Sequence, residues 1–230
     1  MTETARMPAP EWSAPPPRDE LGLVALDFEL TPERVISAYR HGIFPWPDGD
    51  PRHPIPWVCP RRRAILEFEA LRVPRSLEKA RRRTTLRFTF DHSFPAVIRA
   101  CAAAPRRGQA GTWITPTMIA AYTEVHRRGF AHSVEAWDGD TLVAGLYGMD
   151  AGGVFAGESM FHRVDNGSKL CLLRVADHLR ARGSGWMDIQ QLTPHLAALG
   201  AREISRGEFL RHLRDEQAAG RVLFPAGAAA

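Results

Sequence analysis

Apolar positions along this chain alternate between a period of three to four residues and a period of two, which marks out interspersed helices and strands. Thr31 followed by Pro32 reads as a helix start, with Val35, Ile36 and Tyr39 on one face and Gly42 as the stop. Phe94, Val97, Ile98 and Cys101 predict a second helix, and Thr115 with Pro116 opens a third that carries Met118, Ile119, Tyr122 and Val125 as far as Gly129. Alternation in AILEFE (64 to 69) and LRFTF (86 to 90) predicts strands flanking a basic helical segment that begins near Ser76. AHSVEAW (131 to 137), the turn at Asp138 and Gly139, and TLVAGLYGM (141 to 149) make a hairpin, and GGVFAGESMF (152 to 161) supplies the next strand. A helix from about Ser168 to Arg182 then leads to strand WMDIQ (186 to 190). Thr193 with Pro194 opens a short helix, and Ser205 with Glu208 forms a capping box for the last one, which turns Phe209, Leu210 and Leu213 inward. Between the first helix and the first strand, FPWPDGDPRHPIPW (44 to 57) carries two tryptophans among five prolines. So many missing donors predict an ordered loop presenting rings, and argue against a central strand.

Composition bounds what such a chain can be. Its 230 residues allow one large domain, or one of ordinary size with a small companion. The charge shift along the chain suggests a small basic α/β domain over 21–90 and a larger α+β domain over 91–220. The first 20 residues, rich in Pro and Ala without an apolar run, are expected to be disordered and to be neither a signal peptide nor a membrane span. Cys59, Cys101 and Cys171 are odd in number and far apart, so they read as reduced core thiols of a cytoplasmic protein. The scattered histidines show no zinc spacing, and no metal is expected.

Net charge is a modest +4, but it is concentrated: ten basic residues stand against three acidic ones between Arg61 and Arg87. Triplets of arginine at 61 to 63 and 81 to 83, with Arg75 and Lys79 between them, suggest a surface for a polyanion, whereas a solvated helix face is the plainer alternative.

Three polar groups stand where a core is expected. Glu158 lies in GESMF among Val154, Phe155, Met160 and Phe161, and Asp188 and Gln190 lie on one face of WMDIQ. Such groups are costly to bury without partners, so they point either to a site for a cationic or amine substrate or to a hydrogen-bonded core network. The helix start in RVDNGSKL (163 to 170) offers Ser168, Lys169 and free backbone donors to an anion.

The element order of the second half resembles the GCN5-related N-acetyltransferase sheet, although the loop at 163 to 170 lacks the glycine pattern by which such enzymes hold coenzyme A. An acyl-CoA-dependent N-acyltransferase is therefore the alternative reading. AYRHGIFPW (38 to 46), GTWI (111 to 114), AHSVEAW, GLYG (145 to 148), GESMF, NGSK (166 to 169), DIQ and HLAALGA (195 to 201) together resemble the signature segments of leucyl/phenylalanyl-tRNA–protein transferases, in that family's order. The resemblance implies a fold with a small N-terminal domain followed by an acetyltransferase-like domain. The activity it implies moves Leu or Phe, and Met less well, from aminoacyl-tRNA to the α-amine of proteins that begin with Arg or Lys, marking them for N-end rule degradation. No cofactor, metal or membrane is implied, and a monomer is expected.

By resemblance, Asp188 orients Gln190, whose side-chain oxygen accepts from the attacking amine, while Glu158 meets the cationic N-terminus or basic side chain. Leu146, Phe155, Leu172, Val175 and Met187 would line the amino-acid pocket. Trp46 and Trp113 would contact the terminal adenosine, and Arg75, Lys79, Arg81, Arg82 and Arg83, with Ser168 and Lys169, would hold the RNA backbone. The chain departs from the family pattern at DFEL (27 to 30) and at WVCP (57 to 60), and RRR stands where the family carries D-P-R.

Overall fold

The computed structural model describes residues 12, 19–105 and 111–225. The expected disorder of the first 20 residues falls largely outside that range. In chain order the elements are β1 (Leu23–Asp27), α1 (Pro32–Arg40), β2 (Phe44–Pro45), β3 (Ile55–Val58), β4 (Arg62–Glu67), α2 (Arg75–Arg83), β5 (Arg87–Phe90), α3 (Phe94–Ala103) and α4 (Pro116–Arg127). They continue with β6 (Ala131–Asp138), β7 (Thr141–Asp150), β8 (Phe155–His162), α5 (Gly167–Arg180), β9 (Trp186–Gln190), α6 (Pro194–Ala198), β10 (Arg202–Ser205) and α7 (Arg206–Ala219). This is an α+β fold.

The helix starts follow from capping chemistry. Thr31, Thr115 and Thr193 each accept a backbone N–H three residues on, each with proline at the first helical position, and Ser205 caps α7 in the same way. A three-stranded antiparallel sheet has the order β1-β3-β2, and a seven-stranded sheet has the order β10-β4-β9-β8-β7-β6-β5. The proline-rich stretch thus departs from expectation, because its two ends are strands and β3 is the middle one. Pro56 gives up only its missing donor, and its carbonyl still accepts from Trp46 N at 2.8 Å.

The boundary drawn near residue 90 does not match the sheet topology. Strands β4 and β5, placed in the basic unit by charge, belong to the large sheet, with β4 between β10 and β9 and β5 at the far edge against β6. Charge follows the exposed helix α2, whereas sheet membership follows the buried apolar pattern, and the two need not change together.

Alternating strand residues feed two separate cores. Ile65, Tyr147, Ala156 and Trp186 pack with α1, α3, α4 and α7, whereas Leu66, Leu146, Phe155 and Met187 pack with α2, α5 and α6. Neighbours in the large sheet are antiparallel except β8 and β9, which run parallel and are joined by the crossover helix α5. These two strands meet in register only at Ala156 and Asp188. No other pair of these strands is in register among the described residues, which leaves a gap in the ladder between them.

Candidate active site

The gap is framed by two bulges. In β8, Tyr147 opposes Ser159 while Gly148 opposes Gly157, which leaves Glu158 as the extra residue. In β9, Ala64 opposes Gln190 while Ile65 opposes Asp188, which leaves Ile189 extra. A bulge breaks the alternation of side chains and re-aims them. Gln190 adopts φ 59°, a left-handed conformation that a non-glycine residue holds only when its surroundings impose it.

A cavity of about 400 Å³ opens at this gap. Its apolar wall is Leu146, Met160, Leu172, Met187, Ile189 and Leu196; Glu158, Gln190, Gln191 and Thr193 add polar atoms, and Phe44, Trp46 and Trp113 also line it. Trp46 is 37% exposed and stacks on Phe44 with ring centroids 5.9 Å apart. Gly157 lines the same space, and a Cβ there would come within 3.1 Å of the Met187 methyl.

Of the five expected pocket residues, Leu146, Leu172 and Met187 line the cavity. Phe155 and Val175 do not, because they are fully buried in the core on the α5 side, where Phe155 packs on Phe224. Met160, Ile189 and Leu196 complete the wall instead. Leu196 belongs to a helix too short to show a stripe, Ile189 is itself the extra residue of the β9 bulge, and Met160 follows the β8 bulge, so simple alternation fails at both.

The polar groups do converge, though not on one strand face. Asp188 is 2% exposed and does not line the cavity. It faces the opposite side of the sheet and takes both prongs of Arg63, with Nε to Oδ1 at 2.9 Å and Nη2 to Oδ2 at 2.6 Å. Asp188 Oδ1 also accepts from the backbone N–H of Gln190 at 2.9 Å. The Gln190 side chain donates its amide N–H to Glu158 Oε1. That oxygen accepts in addition from the Tyr39 hydroxyl at 2.7 Å, and the Tyr122 hydroxyl lies 2.8 Å from that of Tyr39. Because Tyr39 spends its only proton on Glu158, Tyr122 must be the donor between the two rings.

The electrostatics follow from burial. Desolvation pushes the Glu158 carboxyl up to about 7, although the Tyr39 and Gln190 donors pull in the other direction. Burial, with the charge of Glu158 second, raises the Tyr39 phenol far above its usual range. Burial opposes the charge on Arg63, yet the Asp188 carboxylate outweighs it and raises the Arg63 pKa.

Sequence reasoning counted Arg63 in the exposed basic run and read Tyr39 and Tyr122 as core. A usable signal was present: Arg63 precedes Ala64, Ile65 and Leu66, a run apolar on both faces, so an arginine there needs a buried carboxylate. Phenols on the buried faces of helices likewise need hydrogen-bond partners.

Helix α2 packs against α5, and Arg81 reaches Asp177 of α5 at 2.7 Å. Arg82 pairs with Glu78, whereas Arg75, Lys79 and Arg83 form no ion pair among the described residues. Helix α5 therefore lies between the basic helix and the cavity, to which it gives Leu172. At its start Ser168 is buried, with Oγ 3.3 Å from Nδ1 of the exposed His162. Lys169 is near enough to His195 for its charge to add to desolvation in lowering the histidine pKa.

The α+β fold thus brings a half-buried acid and amide to the wall of an apolar cavity, an arrangement that offers room for a small apolar group beside a polar centre. A family model described as leucyl/phenylalanyl-tRNA protein transferase matches residues 65–214, and one for the N-terminal domain of that enzyme matches 28–61. A leucyl/phenylalanyl-tRNA–protein transferase of Pseudomonas entomophila (strain L48) is 52% identical over 196 residues, 85% of this chain and 85% of that protein. One from Anaeromyxobacter dehalogenans (strain 2CP-C) is 49% identical over 192 residues, covering 84% of this chain and 82% of the other. The Pseudomonas aeruginosa (strain UCBPP-PA14) protein of the same name is 49% identical over 207 residues, with 88% and 90% coverage. The chain belongs to the leucyl/phenylalanyl-tRNA–protein transferase family. Among the described residues no helix is long and apolar enough to cross a membrane.

Proposed function

We propose that this enzyme transfers Leu or Phe from aminoacyl-tRNA to the α-amine of proteins whose N-terminal residue is Arg or Lys, in the cytoplasm and as a monomer. The observation that carries the reading is the placement of Gln190 and Glu158 at an apolar cavity of about 400 Å³ that is also lined by Trp46 and Trp113. The cavity takes the Leu or Phe side chain, and the tryptophans take the terminal adenosine by stacking, which reads no sequence. The exposed arginines and Lys79 of α2 hold phosphates, as does Lys169. The parallel pair β8 and β9 with its crossover helix supports reading the catalytic unit as a GCN5-related acyltransferase scaffold, with an aminoacyl ester in place of a thioester.

The ester is already activated, so alignment and proton handling remain for the protein. Glu158 holds the NH₂ of the Gln190 amide, which turns the amide oxygen away from Glu158 to accept from the incoming amine. A free α-amine has a pKa of roughly 8, so the neutral fraction is the one that attacks, and the Gln190 oxygen aligns it by accepting one of its N–H bonds. The amine nitrogen bonds to the ester carbonyl carbon, the bond to the ribose oxygen breaks, and the amine proton ends on that oxygen. Asp188 acts through the backbone of Gln190 and touches no substrate.

The test is transfer itself. Incubated with radiolabelled leucyl-tRNA and a reporter beginning with Arg, the protein is expected to label the reporter's N-terminus; with labelled acetyl-CoA it is not. Label from acetyl-CoA alone would overturn the reading in favour of an acyl-CoA enzyme, and RNA retention without transfer would leave a binding protein.

A further inference from the structure

We infer that Arg63 is a positioning residue for aminoacyl transfer, setting Gln190 through Asp188, and is no part of the RNA-binding surface its sequence context suggests. The inference rests on the reading of Gln190 given above. Arg63 is 1% exposed, and its guanidinium lies over the rings of Phe44 at 4.4 Å and Phe209 at 4.5 Å. Its Nη1 donates to Gly42 O at 3.3 Å. No phosphate can reach a charge enclosed in this way.

What the guanidinium does reach is the carboxylate that fixes Gln190. Both Asp188 oxygens are engaged by Arg63, and one of them also receives the Gln190 backbone N–H at 2.9 Å. A carboxylate held by one prong could rotate about its last bond; held by two, it presents Oδ1 in one place. That oxygen supports a residue with φ 59°, which would otherwise relax to an ordinary backbone angle and carry its side chain off Glu158. Lysine could supply the charge at position 63, but not the planar fork or the stacking between two rings.

The full-length protein carrying Arg63→Lys tests this in steady-state transfer from leucyl-tRNA to an Arg-headed peptide. Misplacing Gln190 is expected to lower kcat about 10- to 100-fold, since small errors of alignment cost that much. KM for the RNA, its affinity by filter binding and the salt slope of that affinity are expected to stay within about twofold. Because Arg63 acts through Gln190, the double variant Arg63→Lys/Gln190→Ala should transfer no more than about twofold more slowly than Gln190→Ala alone. Losses that multiply, a wild-type kcat, or a reduced salt slope would each overturn the inference and leave the reading of Gln190 standing. Wild-type transfer by Gln190→Ala alone would sink that reading and the inference together. If the lysine variant does not fold, Arg63→Gln/Asp188→Asn removes both charges at once, strands neither, and is judged by the same comparison with Gln190→Ala.

Discussion

The hydroxyl of Tyr39 donates to Glu158 Oε1 at 2.7 Å, and so a phenol from helix α1 bears on the ionisation of an acid in strand β8. Burial raises that acid to about 7, and the Tyr39 hydrogen bond is the largest effect opposing the rise. Ionised Glu158 only accepts, which fixes the Gln190 amide; protonated, it can donate to the amide oxygen and turn it round. Transfer should therefore increase as pH rises through about 7. Tyr39→Phe removes a donor, raises the carboxyl further and should move the midpoint of the pH–rate curve upward. An unmoved midpoint in single-turnover assays would detach Glu158 from the reaction.

The same acid links stability to pH. Its pKa is about 7 when folded and near the ordinary glutamate value of 4.5 when unfolded. The favourable contribution of the protonated form is thus complete below the lower value and is lost as pH rises through the upper one. Glu158→Gln, which cannot ionise, should gain on the wild type by about 1–3 kcal/mol between acid and mildly alkaline pH. Urea unfolding at both pH values measures the gap, and a gap independent of pH would count against a raised carboxyl.

Asp188→Ala should damage folding as well as transfer. It leaves Arg63 as a buried charge without its partner, which typically costs about 3–5 kcal/mol. Thermal melting is expected to show a clear drop in Tm, smaller in Asp188→Asn, which keeps an acceptor for the Gln190 backbone. Full stability in the alanine variant would mean that water enters beside the guanidinium.

Trp46→Ala and Trp113→Ala should each weaken aminoacyl-tRNA binding by about 1–3 kcal/mol, the worth of one stacked base. Trp46 is 37% exposed, so its loss should leave Tm nearly unchanged and raise KM for the RNA. A changed peptide KM with an unchanged RNA KM would assign these rings to the other substrate.

Along α2, the unpaired cations should matter most to the RNA. Lys79→Ala and Arg83→Ala are each expected to reduce the slope of log affinity against log salt by about one. Arg81→Ala should change it less, because Arg81 is already tied to Asp177 at 2.7 Å. Equal effects at all three positions would show that RNA breaks that ion pair on binding.

Much of this architecture was legible because its signals are local. Threonine–proline pairs mark three helix starts, and Asp138–Gly139 marks the central hairpin. Strands β1 and β10 went unread, the second because it spans only Arg202–Ser205 and its last residue doubles as a helix cap. Membership of a sheet is decided by distant pairing, so β4 and β5 could not be assigned to the large sheet from composition. At the site, Glu158, Asp188 and Gln190 stood out as polar groups in apolar strands. Their partners Arg63, Tyr39 and Tyr122 were hidden, since an arginine inside an arginine run and tyrosines on helical stripes have ordinary explanations.

The paired bulges make this catalytic centre depend on residue number as much as on residue type. Deleting Ile189 would restore an even pleat to β9 and keep Gln190 opposite Ala64, but would remove the bulge and the left-handed backbone that aim its amide at Glu158, with every polar group of the site still encoded. A one-codon deletion could thus silence the enzyme while sparing each residue that a comparison of active-site letters would inspect.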